Sequence, residues 1–402
     1  MKILLSAYAC EPNKGSEPGV GWSWATEYVK CNEVWVLTRD NNKKTIEKYM
    51  EENPEYQNKN LHFVYVGLPP KLTFWKKGRR GMRLFYMLWQ RKAVKVAEEL
   101  NKKINFDFVQ HVTFVSYTQP IYMYKLGIPL IWGPVSGGEN IPSNIKIKMS
   151  LKEKIIEYVR NASQIGALMF PSIRKTMKTA KAILVATEET KKKIPTKYQS
   201  KTFILPAIGI EKMPAVNKKN RHDGKIKIIM AGRLINWKAF DIGIRGFLRI
   251  SDKYPEVELH ILGEGNRKKE LKILASDKIG KKIIFDNPVK HDHIYEFYSE
   301  FDLFINTTLR DSGCMTMMEA MAVGLPCIAI ATGGPNVLLK GFDECKIMPT
   351  SYEGCVNAVS LLIEDFIEHA PKWENIAERQ HQYAAEQFLV SEKVKYIQQI
   401  VR

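Results

Sequence analysis

Cysteine, acid and long apolar runs are all in short supply in this chain. Six cysteines stand among 402 residues (Cys10, Cys31, Cys314, Cys327, Cys345 and Cys355), and no two are spaced C-x-x-C. That excludes a disulfide-built scaffold, offers no zinc-ligand spacing, and fits a reduced, cytoplasmic chain. No run of 18 apolar residues occurs, so no segment reads as membrane-spanning. The apolar start, residues 1–10, is too brief for a lipoprotein leader ending at Cys10, and its pattern reads as a first strand. Short internal repeats and low-complexity tracts are also missing. Asp and Glu number 43 against 61 Lys and Arg, a net charge of +18. Such an excess favours an anionic partner: a phosphate-bearing ligand, nucleic acid or an acidic lipid surface.

What is present is an ordinary globular composition, 45% hydrophobic and 26% charged. At roughly 150 residues per domain the length predicts two domains, or three. The first half alternates apolar strand patterns with helical stretches. KILLSAY (2–8), EVWVLT (33–38), HFVYVGL (62–68), FDFVQHV (106–112), PLIWGPV (129–135), KAILVAT (181–187) and TFILPAI (202–208) read as strands. Strands separated by helices imply a parallel sheet with crossover connections. Residues 213–225 (MPAVNKKNRHDGK) are polar and aperiodic, and read as a linker. The pattern restarts with KIKIIMAGR (225–233), VELHILGEG (257–265), KIIFDNP (282–288), DLFINTT (302–308) and PCIAIAT (326–332). This predicts an α/β fold: a first domain over 1–212, a second over 226–372, and a final helix over 373–402. Two such domains would meet in a cleft lined by strand carboxyl ends, where open α/β sheets bind ligands.

Two strand-to-helix turns of the second domain carry chemistry. In residues 311–326 (DSGCMTMMEAMAVGLP), Asp311 precedes a helix and Glu319 lies within it, eight residues on. The backbone N–H groups of Gly313, Cys314 and Met315 are expected to be open donors at the positive helix end, a ready anion site. Two carboxylates beside a phosphate cradle suit a sugar nucleotide. The plainer alternative is a helix cap at Asp311 and a solvated Glu319. In residues 232–243 (GRLINWKAFDIG), Arg233 follows a strand and Lys238 precedes a helix. Together they could clamp a diphosphate, or be two exposed cations of a basic chain. Gly263 and Gly265 form a lone G-x-G that reads as a tight turn. His291, Asp292 and His293 look metal-like, but Asp292 is more simply a helix cap.

With these segments in hand the chain resembles the retaining nucleotide-sugar glycosyltransferases of family 4, which have the GT-B fold of two Rossmann-like domains. The resemblance rests on ACEPNKGSEPGVGW (9–22), IWGPVSGGENIP (131–142), GRLINWK (232–238) and DSGCMTMMEAMAVGLP (311–326), in the family's order. It implies transfer of a hexosyl unit from a nucleotide-diphosphate sugar to a glycan or lipid-linked acceptor, in cell-surface polysaccharide biosynthesis. Arg233 and Lys238 would hold the diphosphate. Asp311 and the amides of Gly313, Cys314 and Met315 would hold the sugar and its phosphate, and Glu319 the ribose. Val289 would lie at the base. Gly15 and Ser16 would approach the phosphates from the first domain. His111 stands where members place a histidine near the transferred sugar, although the residues alone favour a core histidine. The last helix would cross back to the first domain. No metal or other cofactor is implied: no D-x-D occurs in the chain, and Arg233 and Lys238 would supply the positive charge. Asp311 departs from the pattern, which usually has Glu there, and Val337 stands near a position where many members carry Glu.

The positive charge concentrates in residues 71–92, with Lys71, Lys76, Lys77, Arg79, Arg80, Arg83, Arg91 and Lys92 and no acid. Phe74, Trp75, Phe85, Tyr86 and Trp89 are interleaved, an interfacial signature that predicts peripheral binding to an anionic cytoplasmic leaflet. Lys146, Lys148, Lys152 and Lys154 add a second patch. The plainer reading of 71–92 is a solvated helix with its aromatics in the core. Two rivals remain. A single-stranded nucleic-acid binder would use the same cations and aromatics but leaves Asp311 and Glu319 unexplained, so no nucleic acid is expected. A GT-B-fold nucleotide-sugar epimerase would form its product without an acceptor.

Overall fold

The computed structural model describes residues 1–401 except 73, 74, 76, 77, 79, 80, 115, 148 and 217–223, with the backbone alone at Ser16 and Leu72. Lys76, Lys77, Arg79, Arg80, Phe74 and Lys148, all named for the basic patches, and part of the expected linker therefore lie outside the described residues. The chain forms two compact units, one of Met1–Gly138, Ile155–Ile208 and Val390–Arg402, the other of Glu139–Lys154 and Gly209–Leu389.

Among the described residues the first unit holds a seven-stranded sheet in the order β3-β2-β1-β4-β5-β6-β7, every pair parallel. Its strands are β1 (Lys2–Ser6), β2 (Glu33–Arg39), β3 (Leu61–Val66), β4 (Phe108–His111), β5 (Leu130–Val135), β6 (Ala182–Val185) and β7 (Thr202–Ile204). The crossovers carry α1 (Ser16–Tyr28), α2 (Lys43–Glu52), α3 (Met82–Ile104), α4 (Leu151–Gly166), α5 (Pro171–Thr179) and α6 (Glu188–Lys193). β4, β5 and β6 are buried at every residue, so their apolar runs do not alternate. One core layer gathers Tyr8, Tyr86, Trp89 and Trp132, the other Trp22, Trp24, Tyr28 and Phe108. Of the interleaved aromatics of 71–92, Tyr86 and Trp89 follow the plainer reading: they pack edge-on against Tyr8 in the core, because α3 turns this face to the sheet.

Among the described residues the second unit repeats the plan with six parallel strands in the order β10-β9-β8-β11-β12-β13. They are β8 (Ile226–Ala231), β9 (Val257–Leu262), β10 (Ile283–Asp286), β11 (Leu303–Asn306), β12 (Cys327–Ile330) and β13 (Lys346–Ile347). Its helices are α7 (Phe240–Ile250), α8 (Lys268–Ala275), α9 (Ile294–Tyr298), α10 (Met315–Ala322), α11 (Gly333–Leu338), α12 (Tyr352–Glu368) and α13 (Ala370–Gln387), and the chain's last helix is α14 (Val390–Val401). In each sheet the strand order reverses between two neighbours, β1 with β4 and β8 with β11, the place where doubly wound sheets bind ligands.

The chain's division differs from the sequence-based one in two places. Residues 139–154 group with the second unit, where the Asn144 amide reaches the carbonyls of Pro349 and Thr350, at 2.5 Å each. The expected single helix over 373–402 is two helices, and only α14 groups with the first unit. α13 stays with the second because buried Gln380 satisfies both backbone groups of Cys327, accepting from its N–H at 2.8 Å and donating to its carbonyl at 3.1 Å. α14 packs Val390, Val394, Ile397 and Val401 into the first unit's core. Among the described residues no helix is long and apolar enough to cross a membrane.

Candidate functional site

The second unit's site grows from two loops at the carboxyl ends of β8 and β11, adjacent strands at the reversal. After β8 the chain passes Gly232 and Arg233, makes a 3-10 turn over Asn236–Lys238, and enters α7 through Ala239 at φ 46°. After β11 it runs from Thr307 to Cys314, which opens α10 at φ 55°. The loops are stitched together. Leu309 N–H donates to the Trp237 carbonyl at 2.9 Å, and the Thr307 hydroxyl to the Lys238 carbonyl at 3.1 Å. The Arg310 guanidinium lies 4.7 Å from the Trp237 ring centre. These contacts fix Lys238 beside Asp311.

Lys238 and Asp311 form a largely buried ion pair. Asp311 also accepts from Gly313 N–H at 3.0 Å and from the Cys314 thiol. Burial acts to raise the Asp311 carboxyl, but Lys238, Gly313 and Cys314 outweigh it and hold its pKa below the ordinary value. Burial acts to lower the Lys238 ammonium and so does nearby Arg233. The Asp311 carboxylate, through its charge and its hydrogen bond, outweighs both and raises it. Burial, then the Asp311 charge, pushes the Cys314 thiol well up, so it stays protonated and donates. The result is two cations held close together, Lys238 anchored and Arg233 exposed to solvent. Like charges are brought together at a strand end where an anion can relieve their repulsion.

One expectation changes here. The Gly313 N–H is taken by Asp311 itself, because a carboxylate two residues upstream reaches it in a tight turn. Cys314 and Met315 remain at the helix start, with the Cys314 carbonyl accepting the first helical bonds from Met317 and Met318. Glu319 is buried and accepts from His291 Nε2 at 3.1 Å, which rules out a solvated helix residue. His291 is raised above its ordinary pKa, first by that bond to Glu319. Asp292, read as a cap, lies inside the 3-10 turn His291–His293, and neither that turn nor α9 takes a side-chain cap. Val289 is half-buried in the same β10–α9 connection, two residues before His291.

The glycines show what the spacing of residues could not. A Cβ on Gly263 would sit 1.9 Å from the Gly232 carbonyl oxygen, and one on Gly265 2.2 Å from that of Leu234. The G-x-G is therefore a close-approach support for the Arg233 loop rather than a tight turn. Gly333, at φ 49°, does the same for the other loop, with the Asp311 carbonyl 2.2 Å from its missing Cβ. Glu139, from the 131–142 segment, packs beside Gly333 in this unit. These supports lie far along the chain, and only their small size marked them.

In the first unit, the 9–22 loop follows β1. A Cβ on Gly21 would meet the Ala9 carbonyl at 2.1 Å, so the glycine lets α1 press on the strand end. Gly15 flanks the start of α1 and has open space around its Cα; the backbone of Ser16 begins the helix. His111, at the end of β4, is fully enclosed. Its Nε2 pairs with the Tyr86 hydroxyl at 2.8 Å and its Nδ1 with Ser6 Oγ at 3.0 Å. Burial lowers its pKa to about 3, so the ring is neutral. Both ring nitrogens are thus engaged within the first unit, as the reading of a core histidine expects.

The paired doubly wound sheets define an α/β protein of the GT-B fold. Residues 212–387 match the family model described as glycosyl transferases, group 1. The chain is 22% identical over 231 residues to an uncharacterised glycosyltransferase, MJ1069, of Methanocaldococcus jannaschii, across 55% of this chain and 57% of that protein. It is 28% identical over 150 residues to mannosylfructose-phosphate synthase of Agrobacterium fabrum, across 35% and 32%. The chain spans about half the length of the first curated relatives it matches, 57% and 52%. Among solved structures, it is similar to Anabaena HepE in complex with UDP and glucose, with a TM-score of 0.61 and 15% identity over 99% and 98% of the two chains. It is also similar to the lipopolysaccharide outer core galactosyltransferase WaaB, with a TM-score of 0.65 and 14% identity over 100% and 99%. These matches support a place in the glycosyltransferase superfamily.

Proposed function

We propose that the protein is a retaining glycosyltransferase that moves a hexosyl unit from a UDP- or GDP-linked sugar to a glycan or lipid-linked acceptor at an anionic membrane surface. The observation that carries this is the pair Arg233 and Lys238, held together at the end of β8 beside the start of α10. As the glycosyl bond breaks, the sugar becomes cationic and the nucleotide leaves with an added negative charge. Fixed cations aimed at that charge lower the barrier without reorganising. Arg233 and Lys238 take this role, so the reaction needs no metal. Cys314 and Met315 at the helix start hold a phosphate, and Glu319 accepts from the ribose hydroxyls. Val289 borders the base. Asp311 serves Lys238 first: three donors already occupy its carboxylate, so it positions the ammonium. Retention follows from same-face attack, with the leaving phosphate accepting the acceptor's proton.

The test is a thermal-shift screen of nucleotides and nucleotide sugars, because a ligand that binds only the folded state raises its apparent stability. A UDP or GDP species should raise the midpoint, and the matching sugar nucleotide should release the nucleoside diphosphate when acceptor is added, with the anomeric configuration retained. An epimer formed without acceptor, or salt-sensitive oligonucleotide binding with no nucleotide response, would refute the reading.

A further inference from the structure

The helix α4 is amphipathic the wrong way round for a soluble protein. Within its 155–166 portion, Ile155, Ile156, Tyr158, Val159 and Ile165 lie on one half of the helix circumference. That apolar half faces outward: Tyr158 is 77% exposed and Ile165 83%. The polar half faces inward. Gln164 is 7% exposed and donates to the Gly137 carbonyl at 2.7 Å, and Glu157 and Arg160 lie beside it as an ion pair. Burying the polar residues and exposing the apolar ones reverses the usual gain from removing hydrocarbon from water. The exposed surface continues past the helix through Met169 and Phe170, at 78% and 49%.

From this we infer that α4 and the turn after it are the membrane-contact element, lying in the headgroup boundary of an anionic bilayer. Charge selects that occupant. Residues 155–181 contain one acid, Glu157, paired with Arg160, which leaves Arg174, Lys175, Lys178 and Lys181 in excess. A recess of about 310 Å³ is lined by Ile155, Ile156 and Val159 together with Arg83, Arg160 and Ser116. A lining that joins apolar side chains to guanidinium and hydroxyl groups matches the boundary between acyl chain and phosphate headgroup. A second copy of the chain would bring a second net charge of +18 against the first. The inference deepens the membrane part of the proposed function and moves the contact from residues 71–92, whose Tyr86 and Trp89 are in the core, to α4.

The experiment is vesicle sedimentation of the full chain with neutral phosphatidylcholine vesicles and with vesicles containing phosphatidylglycerol. Wild type should bind the anionic vesicles at least about tenfold more tightly, given several cations at the surface. Ile165→Asp/Met169→Asp should lose about tenfold or more of that binding, with an unchanged melting temperature, since both side chains are exposed. Ile273→Asp, at an exposed apolar residue of α8, should bind as wild type does. Ile165→Trp should show a blue-shifted emission on the anionic vesicles. Equal binding by the double variant, equal or absent binding of wild type to both vesicles, or a dimer that the double variant dissociates would each overturn the inference. Nucleotide response in vesicle-free buffer is measured alongside; it reports on the transferase reading alone.

Discussion

Lys238→Met separates what the Lys238–Asp311 pair does for stability from what Lys238 does for the reaction. The ammonium is one of three donors to a carboxylate that burial would otherwise raise. Removing it strands Asp311 with Gly313 N–H and the Cys314 thiol. Breaking a buried pair from one side costs roughly 3–5 kcal/mol, and the lower figure applies because a quarter of the Asp311 side chain is exposed. In a unit of about 200 residues, 3 kcal/mol lowers the melting temperature by roughly 6–12 °C. Lys238→Met/Asp311→Asn removes both charges and should recover most of that loss, since replacing a whole buried pair is often neutral. Turnover should behave differently. A fixed cation on a leaving diphosphate is worth about 3–4 kcal/mol of barrier, so both variants should lose roughly 10²–10³ in kcat. Calorimetry gives the first quantity and nucleotide release from the sugar donor the second. A double variant that regains its melting temperature and turns over within threefold of wild type would show that Lys238 is a structural cation.

Four further outcomes are expected. Arg233→Ala, at an exposed position, should leave the melting temperature within about 2 °C yet reduce turnover at least about a hundredfold; turnover near wild type removes Arg233 from the reaction. Gly263→Ala should destabilise by about 1–3 kcal/mol and weaken nucleotide binding, because its Cβ meets the Gly232 carbonyl at 1.9 Å, whereas Gly15→Ala, with nothing within 4 Å, should leave stability unchanged; denaturant titration of the two compares them directly. The His291–Glu319 pair raises the histidine's folded pKa, so its stabilisation is full below about pH 6.5 and fades as pH rises through the folded value. His291→Gln should flatten that slope by at most about 1 kcal/mol, as for a largely exposed partner, and a parallel pH profile of melting temperature in the variant would contradict it. His111 has the opposite sign. Buried and neutral with a folded pKa near 3, it disfavours the folded state as pH falls below about 6.5, because only the unfolded chain takes up the proton. His111→Gln should remove that acid sensitivity, read by melting temperature from pH 7 to 4, while leaving Ser6 and Tyr86 to find new partners at a cost of about 1–3 kcal/mol.

Much of this protein was legible from local order. The strands came from short apolar runs between helical stretches, since a parallel sheet covered on both faces needs no alternation. The two site loops were legible because cations, carboxylates and glycines cluster at strand-to-helix turns, and those turns line the open end of such a sheet. Burial was not legible. Tyr86 and Trp89 carry the same composition whether α3 turns them to lipid or to Tyr8, and only the packing of α3 on the sheet decided it. Glu319 could have been solvated until His291, 28 residues away in sequence, was found against it.

The sequence by itself determined the α/β class and the two-unit plan, and marked Arg233, Lys238, Asp311 and Glu319 as candidates, because periodicity and turn chemistry act over a few residues. Tertiary structure alone decided the rest: Asp311 holding Lys238, His111 closed in the core, Gly263 and Gly333 bracing loops remote in the chain, and α4 turned inside out. Each of these is set by a neighbour dozens of residues away, and whether a side chain meets water or protein depends on that neighbour.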